Sequence, residues 1–290
     1  VAALLAAPVR TRGRPLEATR VLLDKLEAVC PEGAELRLMF TGSGGDLVAK
    51  AMRVSRCNDF QACARAISAL HRETRTVFEL GGEASRYIRL SPDPQSGVLG
   101  IMDYSTNGDC AAGTGAFLDQ QAGRLQYTVE EIGDVVAGAN RTAQIAGRCS
   151  VFAKSDMVHA QQKGFAPPEV LKGLCRAVAA NFRTAVVKGH PVEPPVAFVG
   201  GVSANAAVVQ ELREVFELGE GELFVPEAAE SLGAIGAALL VRELKTPADA
   251  AARQLLKLAD SDVADSADGD GGGYVFPRAK ALSLEGVTLL

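Results

Sequence analysis

The chain has 290 residues and a formal net charge of −5, with 48% apolar and 22% charged residues. This composition is ordinary for a soluble globular protein with one large domain or two medium ones. No Lys/Arg run is dense enough to neutralise nucleic-acid phosphates, and no apolar stretch approaches the roughly 20 residues that span a bilayer. We therefore expect neither nucleic acid nor a membrane among its partners.

Periodic patterns predict alternating helices and strands along the chain. Residues 15–29 have helical periodicity, with Pro15 at the first turn. The stretch ELRLMFTG then predicts a strand that leads into the turn GSGG. One helix is predicted directly after this turn and a second over FQACARAISALHRE. The next segment, TRTVFELGGEASRYIRL, predicts two strands joined through Gly81 and Gly82, and GVLGIMDY predicts a further strand.

The second half continues the alternation. Helical patterns run from Ala111 to about Ala137 with a break near Tyr127, resume after Ser150, and run again over residues 168–188. Two strand–turn–helix units follow, PPVAFVGGVSANAAVVQELREVF and GELFVPEAAESLGAIGAALLVREL. Residues 259–273 form an acidic, Gly-rich stretch that predicts a disordered linker, and residues 274–290 begin a new strand-like segment. The alternation indicates an α/β fold.

Three glycine turns stand where predicted strands end: TGSGG at 41–45, ELGGEAS at 79–85 and VGGVSAN at 199–205. Glycine permits positive φ and close backbone approach, so such loops can direct N–H groups at phosphates. None matches a Walker P-loop or the dinucleotide pattern G-x-G-x-x-G. Glu79 beside Gly81 suits a Mg²⁺ site next to a phosphate, although composition alone favours the alternative, an exposed acid at a strand end.

Two of the six cysteines stand directly before helical runs, Cys110 and Cys149. The positive end of a helix dipole favours thiolate, the form that ligates metals and attacks electrophiles. The alternative is a pair of buried thiols, which is the interpretation given to the other four, Cys30, Cys57, Cys63 and Cys175. Two ligands per chain are too few for an iron–sulfur site, but a twofold dimer would supply four.

Five motifs together resemble the ATP-dependent activators of 2-hydroxyacyl-CoA dehydratases and benzoyl-CoA reductases. They are NGDCAAGTGAFLD, GRCSVFAKSD, ELGGEAS, VGGVSAN and LGAIGAALL, within a similarity that runs from about Gly13 to Leu244. The resemblance implies the actin, sugar-kinase and heat-shock-chaperone superfold, with two ribonuclease-H-like lobes around a nucleotide. We assign residues 1–105 to the N-terminal lobe and 106–258 to the C-terminal lobe.

The resemblance also implies cofactors and partners. A cytoplasmic homodimer shares one 4Fe–4S cluster, and ATP hydrolysis with Mg²⁺ drives a low-potential electron to a dehydratase or reductase component. Reduced ferredoxin or flavodoxin is the expected electron donor. By motif match, Cys110 and Cys149 are the cluster ligands.

The remaining site residues are carried over in the same way. The resemblance gives Glu79 and Glu83 catalytic positions in the second phosphate loop, beside Gly81 and Gly82. The nucleotide-binding positions that it implies elsewhere are Gly113, Thr114, Gly115, Gly200, Gly201, Asn205 and Gly233. Gly113, Thr114 and Gly115 are expected between cluster and nucleotide.

The chain departs from the family pattern at several positions. The Asp-x-Gly-Ser phosphate loop of the opening hairpin has no match, so that hairpin is expected to be missing from this chain. Glu79 replaces Asp, Glu83 replaces Gln and Arg86 replaces Lys. These departures support an alternative, a regulatory or scaffold module of the same fold that has lost ATPase activity. A sugar or acetate kinase of this superfold ranks last, because it leaves both cysteine motifs unexplained.

Overall fold

A computed structural model of the protein describes residues 5–31, 34, 36–108, 113–146 and 149–244. The first part of the described chain is mostly helical around a small two-stranded parallel sheet. Its elements are α1 (Pro15–Val29), β1 (Met39–Phe40), α2 (Gly45–Met52), β2 (Ser55–Arg56) and α3 (Asp59–Leu70). Helix α1 begins at proline as predicted, whereas the strand predicted over ELRLMFTG is confined to β1.

A five-stranded mixed sheet organises the rest of the described chain. The strands are β3 (Thr76–Leu80), β4 (Ser85–Pro92), β5 (Leu99–Thr106), β6 (Val196–Val199) and β7 (Leu223–Phe224). The sheet order is β5-β4-β3-β6-β7; β3, β4 and β5 are antiparallel, and β6 and β7 run parallel to β3. Between β5 and β6 lie α4 (Gly115–Arg124), α5 (Ile132–Ala137), α6 (Ser150–Gln162) and α7 (Pro167–Asn181), while α8 (Ala206–Phe216) and α9 (Leu232–Glu243) follow β6 and β7.

Helices cover both faces of this sheet. On one face, Phe78 of β3 packs against Phe182 and Phe216 with ring centroids 5.0 and 4.7 Å apart, inside a core shared with α4–α8. On the other face, Val77 and Ile88 pack with Ile67 of α3. Each fully buried aromatic or aliphatic side chain contributes roughly 1.5–3 kcal/mol. The five-stranded sheet therefore lies between two layers of helices.

Helices α3 and α9 cross at a point of backbone contact on the second face. A Cβ built on Gly236 of α9 would lie 1.7 Å from the carbonyl oxygen of Ala62 in α3. Only glycine permits helices to approach this closely. The crossing places the start of α9 beside β1 and the loop that follows it.

The predicted lobe boundary after residue 105 falls inside the sheet. Strand β3, which precedes that boundary, pairs with β6, which follows it, with Thr76 opposite Val196. A lobe cannot be divided along a hydrogen-bonded ladder, so we propose that the boundary lies before Thr76. The linker at 259–273 and the segment at 274–290 lie outside the described residues.

Two further features were not predicted. A π-helical turn, Phe182–Val187, ends α7 where the sequence pattern predicts a continuous helix. A bulge opposite Arg89 and Leu90 in β4 reverses the alternation of β5, so that Tyr104 faces α3. Its ring packs against that of Phe60 in a tilted arrangement, with centroids 4.8 Å apart. Within the described ranges, no helix has the length and apolar character needed to cross a membrane.

Candidate functional site

The turn between β3 and β4 and the loop after β6 leave the sheet at the same edge. Strands β3 and β6 are parallel neighbours, with Glu79 opposite Val199, so the segments around Gly81 and Gly200 emerge side by side. The carboxyl ends of parallel strands are where α/β sheets bind ligands. The structure thus brings together two of the three glycine loops identified in the sequence.

Position 200 must be a glycine because the two loops lie so close together. Its φ is +88°, and a Cβ built on it would lie 2.5 Å from the carbonyl oxygen of Leu80. Any side chain would be strained by this φ and would also collide with the β3 backbone. Gly201, next in the chain, is exposed and has open space around it.

The N-terminus of α4 binds the turn between β3 and β4 directly. The N–H of Gly115 donates to the carbonyl oxygen of Gly81 at 2.9 Å, and that of Ala116 donates to Gly82 at 2.7 Å. A Cβ on Gly115 would lie 3.2 Å from the Gly81 oxygen and 3.1 Å from Val202. The first N–H groups of α4 are therefore used to hold the turn against the helix.

Ser85 joins β4 to both sides of the segment that contains Cys110. Its Oγ donates to the carbonyl oxygen of Gly113 at 2.6 Å, and its own carbonyl oxygen accepts from Thr106 Oγ1 at 3.0 Å. Its N–H donates to Asn107 Oδ1 at 3.0 Å. Because Ser85 and Gly113 are both buried, the bond between them is protected from water. Gly113 and Thr114 are buried in the same region.

Asn205 caps helix α8 through the oxygen of its side-chain amide. Its Oδ1 accepts from the N–H groups of Ala207 and Val208, whereas its buried Nδ2 has no hydrogen-bond partner among the described residues. A buried amide donor without a partner is costly. Such a donor beside a glycine loop fits a polar ligand group.

The structure places Glu79 in an ion pair. Glu79 Oε1 accepts from Arg86 Nη1 at 2.7 Å, and the buried Oε2 has no partner within the described chain. Burial raises the pKa of Glu79 above its usual range, and the Arg86 guanidinium opposes that rise. Glu83, at the tip of the turn, is exposed. The two acids predicted as catalytic thus have different environments.

Asp59, which sequence reasoning missed, lies on the other side of Arg86. Asp59 Oδ2 accepts from Arg86 Nη2 at 2.5 Å, and Oδ1 accepts from Thr41 Oγ1 at 2.9 Å and from the N–H of Gly42 at 2.8 Å. The loop at 41–45 is thereby attached to the start of β4, directly after the turn between β3 and β4. An acid at the first turn of a helix is unremarkable in sequence, so no local signal identifies it.

Gly233 lies at the start of α9 against this same loop. A Cβ built on Gly233 would lie 3.5 Å from Thr41 Cγ2, which is ordinary van der Waals contact. Among the predicted nucleotide-binding residues, Gly233 is therefore placed beside the loop at 41–45 and Gly200 against β3. The third glycine loop is thus linked to the other two.

Cys149 lies at the N-cap of α6. It has extended backbone geometry, and its carbonyl oxygen accepts from the N–H of Ala153 at 2.9 Å. The residue is half-buried and its thiol is free. Beside it, Val151 and Phe152 are 68% and 66% exposed. Cys110 lies outside the described residues.

A model of the BadF/BadG/BcrA/BcrD ATPase family matches residues 9–241, most of the chain. The chain belongs to this family. The resemblance inferred from the five motifs is thereby confirmed.

Individual relatives agree with the family assignment. The chain is 30% identical over 177 residues to the 2-hydroxyisocaproyl-CoA dehydratase activator of Clostridioides difficile, covering 61% of this chain and 63% of that one. It is 32% identical over 180 residues to the activator of lactoyl-CoA dehydratase of Anaerotignum propionicum, covering 62% and 66%. The chain therefore spans slightly less than two thirds of the length of these curated relatives.

A solved structure of the family confirms the fold. The activator of the 2-hydroxyisocaproyl-CoA dehydratase from Clostridium difficile with bound ADPNP superposes with a TM-score of 0.66 at 27% identity. The match covers 78% of this chain and 81% of that one. The predicted actin-like superfold is confirmed.

The remaining cysteines of this family member differ from Cys149. Cys57, Cys63 and Cys175 are buried, as predicted, and burial raises the pKa of each thiol, that of Cys175 to about 12. Such thiols stay protonated and unreactive at neutral pH. Cys30, at the end of α1, is half-buried rather than buried, because it caps the helix near the surface.

A cavity of about 630 Å³ lies apart from the glycine loops, between α6, α7 and residues 142–146. Asp156 and Arg176 line it, but both are already engaged in the fold. Asp156 accepts from the N–H of Ala146, and Arg176 pairs with Glu211 and Glu214. The glycine loops remain the better candidate site.

Proposed function

We propose that this chain is an ATP-dependent activator, which couples ATP hydrolysis to electron delivery from a 4Fe–4S cluster to a CoA-ester dehydratase or reductase. Its family membership and its similarity to dehydratase activators support the proposal. The observation that carries it is the attachment of α4 to the turn between β3 and β4 through Gly81 and Gly82. In sequence, α4 directly follows the segment that contains Cys110.

The glycine loops fit a bound nucleotide. The backbone of Gly81 and Gly82 and the exposed Gly201 would line the nucleotide phosphates, and Asn205 Nδ2 would gain the acceptor that it lacks. Mg²⁺ would neutralise phosphate charge during hydrolysis. Glu79 Oε2 would serve that ion or its water, while Oε1 stays bound to Arg86. Glu83 would act from the exposed tip of the turn.

Cys149 and Cys110 would hold the cluster. Thiolates are the usual ligands of iron–sulfur clusters, and Cys149 lies at the start of α6 with a free, half-buried thiol. Two cysteines per chain imply that a second copy completes the set. The exposed apolar side chains of Val151 and Phe152, next to Cys149, supply a surface that a second copy would cover. When bound, the cluster supplies one-electron transfer at low potential.

The hydrogen bonds between the turn and α4 provide a mechanical connection. A displacement of Gly81 or Gly82 by a phosphate moves the acceptors of the Gly115 and Ala116 N–H groups. Because α4 is a rigid element packed against α6 and α7, its N-terminus must follow or lose both bonds. Gly113, Thr114 and Gly115 thus lie on the connection between turn and cysteine segment. The electron acceptor would be a dehydratase or reductase component, and the donor reduced ferredoxin or flavodoxin.

Iron content tests the ligand assignment. We expect about four iron atoms per dimer in anaerobically purified protein and a loss of most of this iron in Cys149→Ser. Cys30→Ser is the matched control, because Cys30 is also half-buried and free. Equal iron in Cys149→Ser and Cys30→Ser would contradict the assignment.

The alternative is a regulatory or scaffold module that has lost ATPase activity. The ion pair between Glu79 and Arg86 favours it, because a paired carboxylate is less available to Mg²⁺. Titration with Mg·ATP distinguishes the two functions. Saturable binding with turnover supports the activator, whereas binding without turnover, or none, supports the module.

A further inference from the structure

Asp59 occupies a position that connects two loops of the site. The helix-capping role at the start of α3 belongs to its neighbour Asn58, whose side chain accepts from the N–H groups of Phe60 and Gln61. The Asp59 carboxylate is therefore available for other partners. It is largely buried, with a side-chain exposure of 14%.

Each carboxylate oxygen of Asp59 binds a different segment of the chain. Oδ1 accepts from Thr41 Oγ1 and from the N–H of Gly42, both in the loop at 41–45. Oδ2 accepts from Arg86, just beyond the turn between β3 and β4. Arg56 adds a second positive charge at Oδ1, at 3.1 Å. The Asp59 side chain thus connects the loop at 41–45 with the start of β4.

Arg86 extends the bridge to Glu79. Its Nη1 donates to Glu79 and its Nη2 to Asp59, and its side chain is only 10% exposed. The centroid of the Phe60 ring lies 5.6 Å from the guanidinium carbon, and Tyr104 packs against that ring at a tilt. A planar guanidinium can bind two carboxylates at once, which a lysine ammonium does less well.

We propose that Asp59 is a positioning residue that links the loop at 41–45 to the turn between β3 and β4 through Arg86. Occupancy of that turn by a nucleotide phosphate is thereby transmitted to Thr41, Gly42 and the start of α9. This second statement rests on the proposed nucleotide site, whereas the linkage itself does not. The chain of contacts is short, buried and charged, so displacement of one member moves the next.

A double-mutant cycle without nucleotide tests the linkage. Thr41→Val removes one donor to Asp59, and Arg86→Lys keeps the charge but weakens the bridge. Each substitution changes the unfolding constant by a certain factor relative to the parent. Because both substituted residues bind Asp59, we expect the factor for the double variant to be about threefold or more smaller than the product of the two single-variant factors. The control pairs Thr41→Val with Arg89→Lys, since Arg89 binds Glu193 instead. Its fold-changes should multiply. If those of Thr41→Val and Arg86→Lys also multiply, the linkage is wrong.

Hydrogen exchange tests the transmission. We expect Mg·ADPNP to slow amide exchange in residues 41–45 several-fold in the parent protein. The same slowing is expected in the control Asp46→Asn, because the exposed Asp46 forms an ion pair with Arg56 and does not join the two loops. In Asp59→Asn the amide oxygen would still accept from the N–H of Gly42, but the amide NH₂ would face the Arg86 guanidinium, and two donors cannot bond to each other. The nucleotide effect on residues 41–45 should therefore disappear in this variant. An equal effect in Asp59→Asn and the parent would overturn the transmission.

The two tests separate the claims. A parent protein that binds no Mg·ADPNP would contradict the proposed function and the transmission with it. The double-mutant cycle would still decide whether Asp59 links the loops, because it needs no nucleotide.

Discussion

At the scale of single residues, Gly200 has the strictest requirement in the site. Both its positive φ and the proximity of the Leu80 oxygen exclude a side chain. Gly200→Ala should lower the free energy of unfolding by about 1–3 kcal/mol, the usual effect of overpacking, plus the strain of φ. Urea denaturation measures this. Gly221→Ala is the control, because Gly221 has φ +79° but open space around it, and it should lose only the strain contribution.

Arg86 lies between two largely buried carboxylates, and its removal should have a pH-dependent effect. Arg86→Met leaves Glu79 and Asp59 without their shared cation, which should cost about 3–5 kcal/mol near neutral pH. Burial already raises the pKa of Glu79 in the folded state, and loss of Arg86 raises it further. Glu79 then binds its proton more tightly in the folded state than in the unfolded chain. Stability therefore falls as pH rises from the pKa of Glu79 in the unfolded chain to its higher pKa in the folded state.

Urea midpoints at about pH 5 and about pH 7.5 check the sign of this effect. The deficit of Arg86→Met relative to the parent should be smaller at the lower pH. Arg14→Met, which removes an exposed pair with Glu17, should change stability by no more than about 1 kcal/mol at either pH. A deficit that grows on acidification would contradict the role given to Glu79.

At the scale of secondary-structure elements, the crossing of α3 and α9 depends on one glycine. Gly236→Ala would place a methyl group inside the contact radius of the Ala62 carbonyl, so the helices must separate. We expect a loss of about 1–3 kcal/mol or more. Gly233→Ala in the same helix meets only ordinary contact and should change stability by less than about 1 kcal/mol. Thermal unfolding of both variants compares them directly, and equal losses would refute the packing argument.

The elements were largely predictable because their signals are local. Pro15 at the start of α1 and the paired glycines between β3 and β4 identify those elements without any tertiary information. The lobe boundary that we propose differs from the predicted one because the pairing of β3 with β6 joins residues 120 positions apart, Thr76 and Val196. The short β1 and the bulge in β5 likewise depend on packing, which no sequence window contains.

The candidate site was predictable only in part, for the same reason. Glycine loops and cysteines before helices are visible in sequence, since each has a local chemical meaning. Asp59 is not visible, because its partners Thr41 and Arg86 come from distant segments. Similarly, the pairing of Glu79 with Arg86 follows from their opposition in the register of β3 and β4.

At the scale of the whole molecule, the exposed apolar side chains beside Cys149 predict self-association. Phe152→Asp places a charge on this surface and should shift a dimer to monomer in light scattering after size exclusion. Leu70→Asp, at a 52% exposed position on α3, is the control and should leave the assembly unchanged. A dimer that persists in Phe152→Asp would place the interface elsewhere.

We expect nucleotide bound at the turn between β3 and β4 to affect the cysteine segments. Thiol alkylation followed by mass spectrometry tests it in iron-free, reduced protein. With saturating Mg·ADPNP, we predict a several-fold change in the alkylation rate of Cys149 and no change at Cys30, which lies at the end of α1. Identical rates at Cys149 with and without bound nucleotide would contradict the claim.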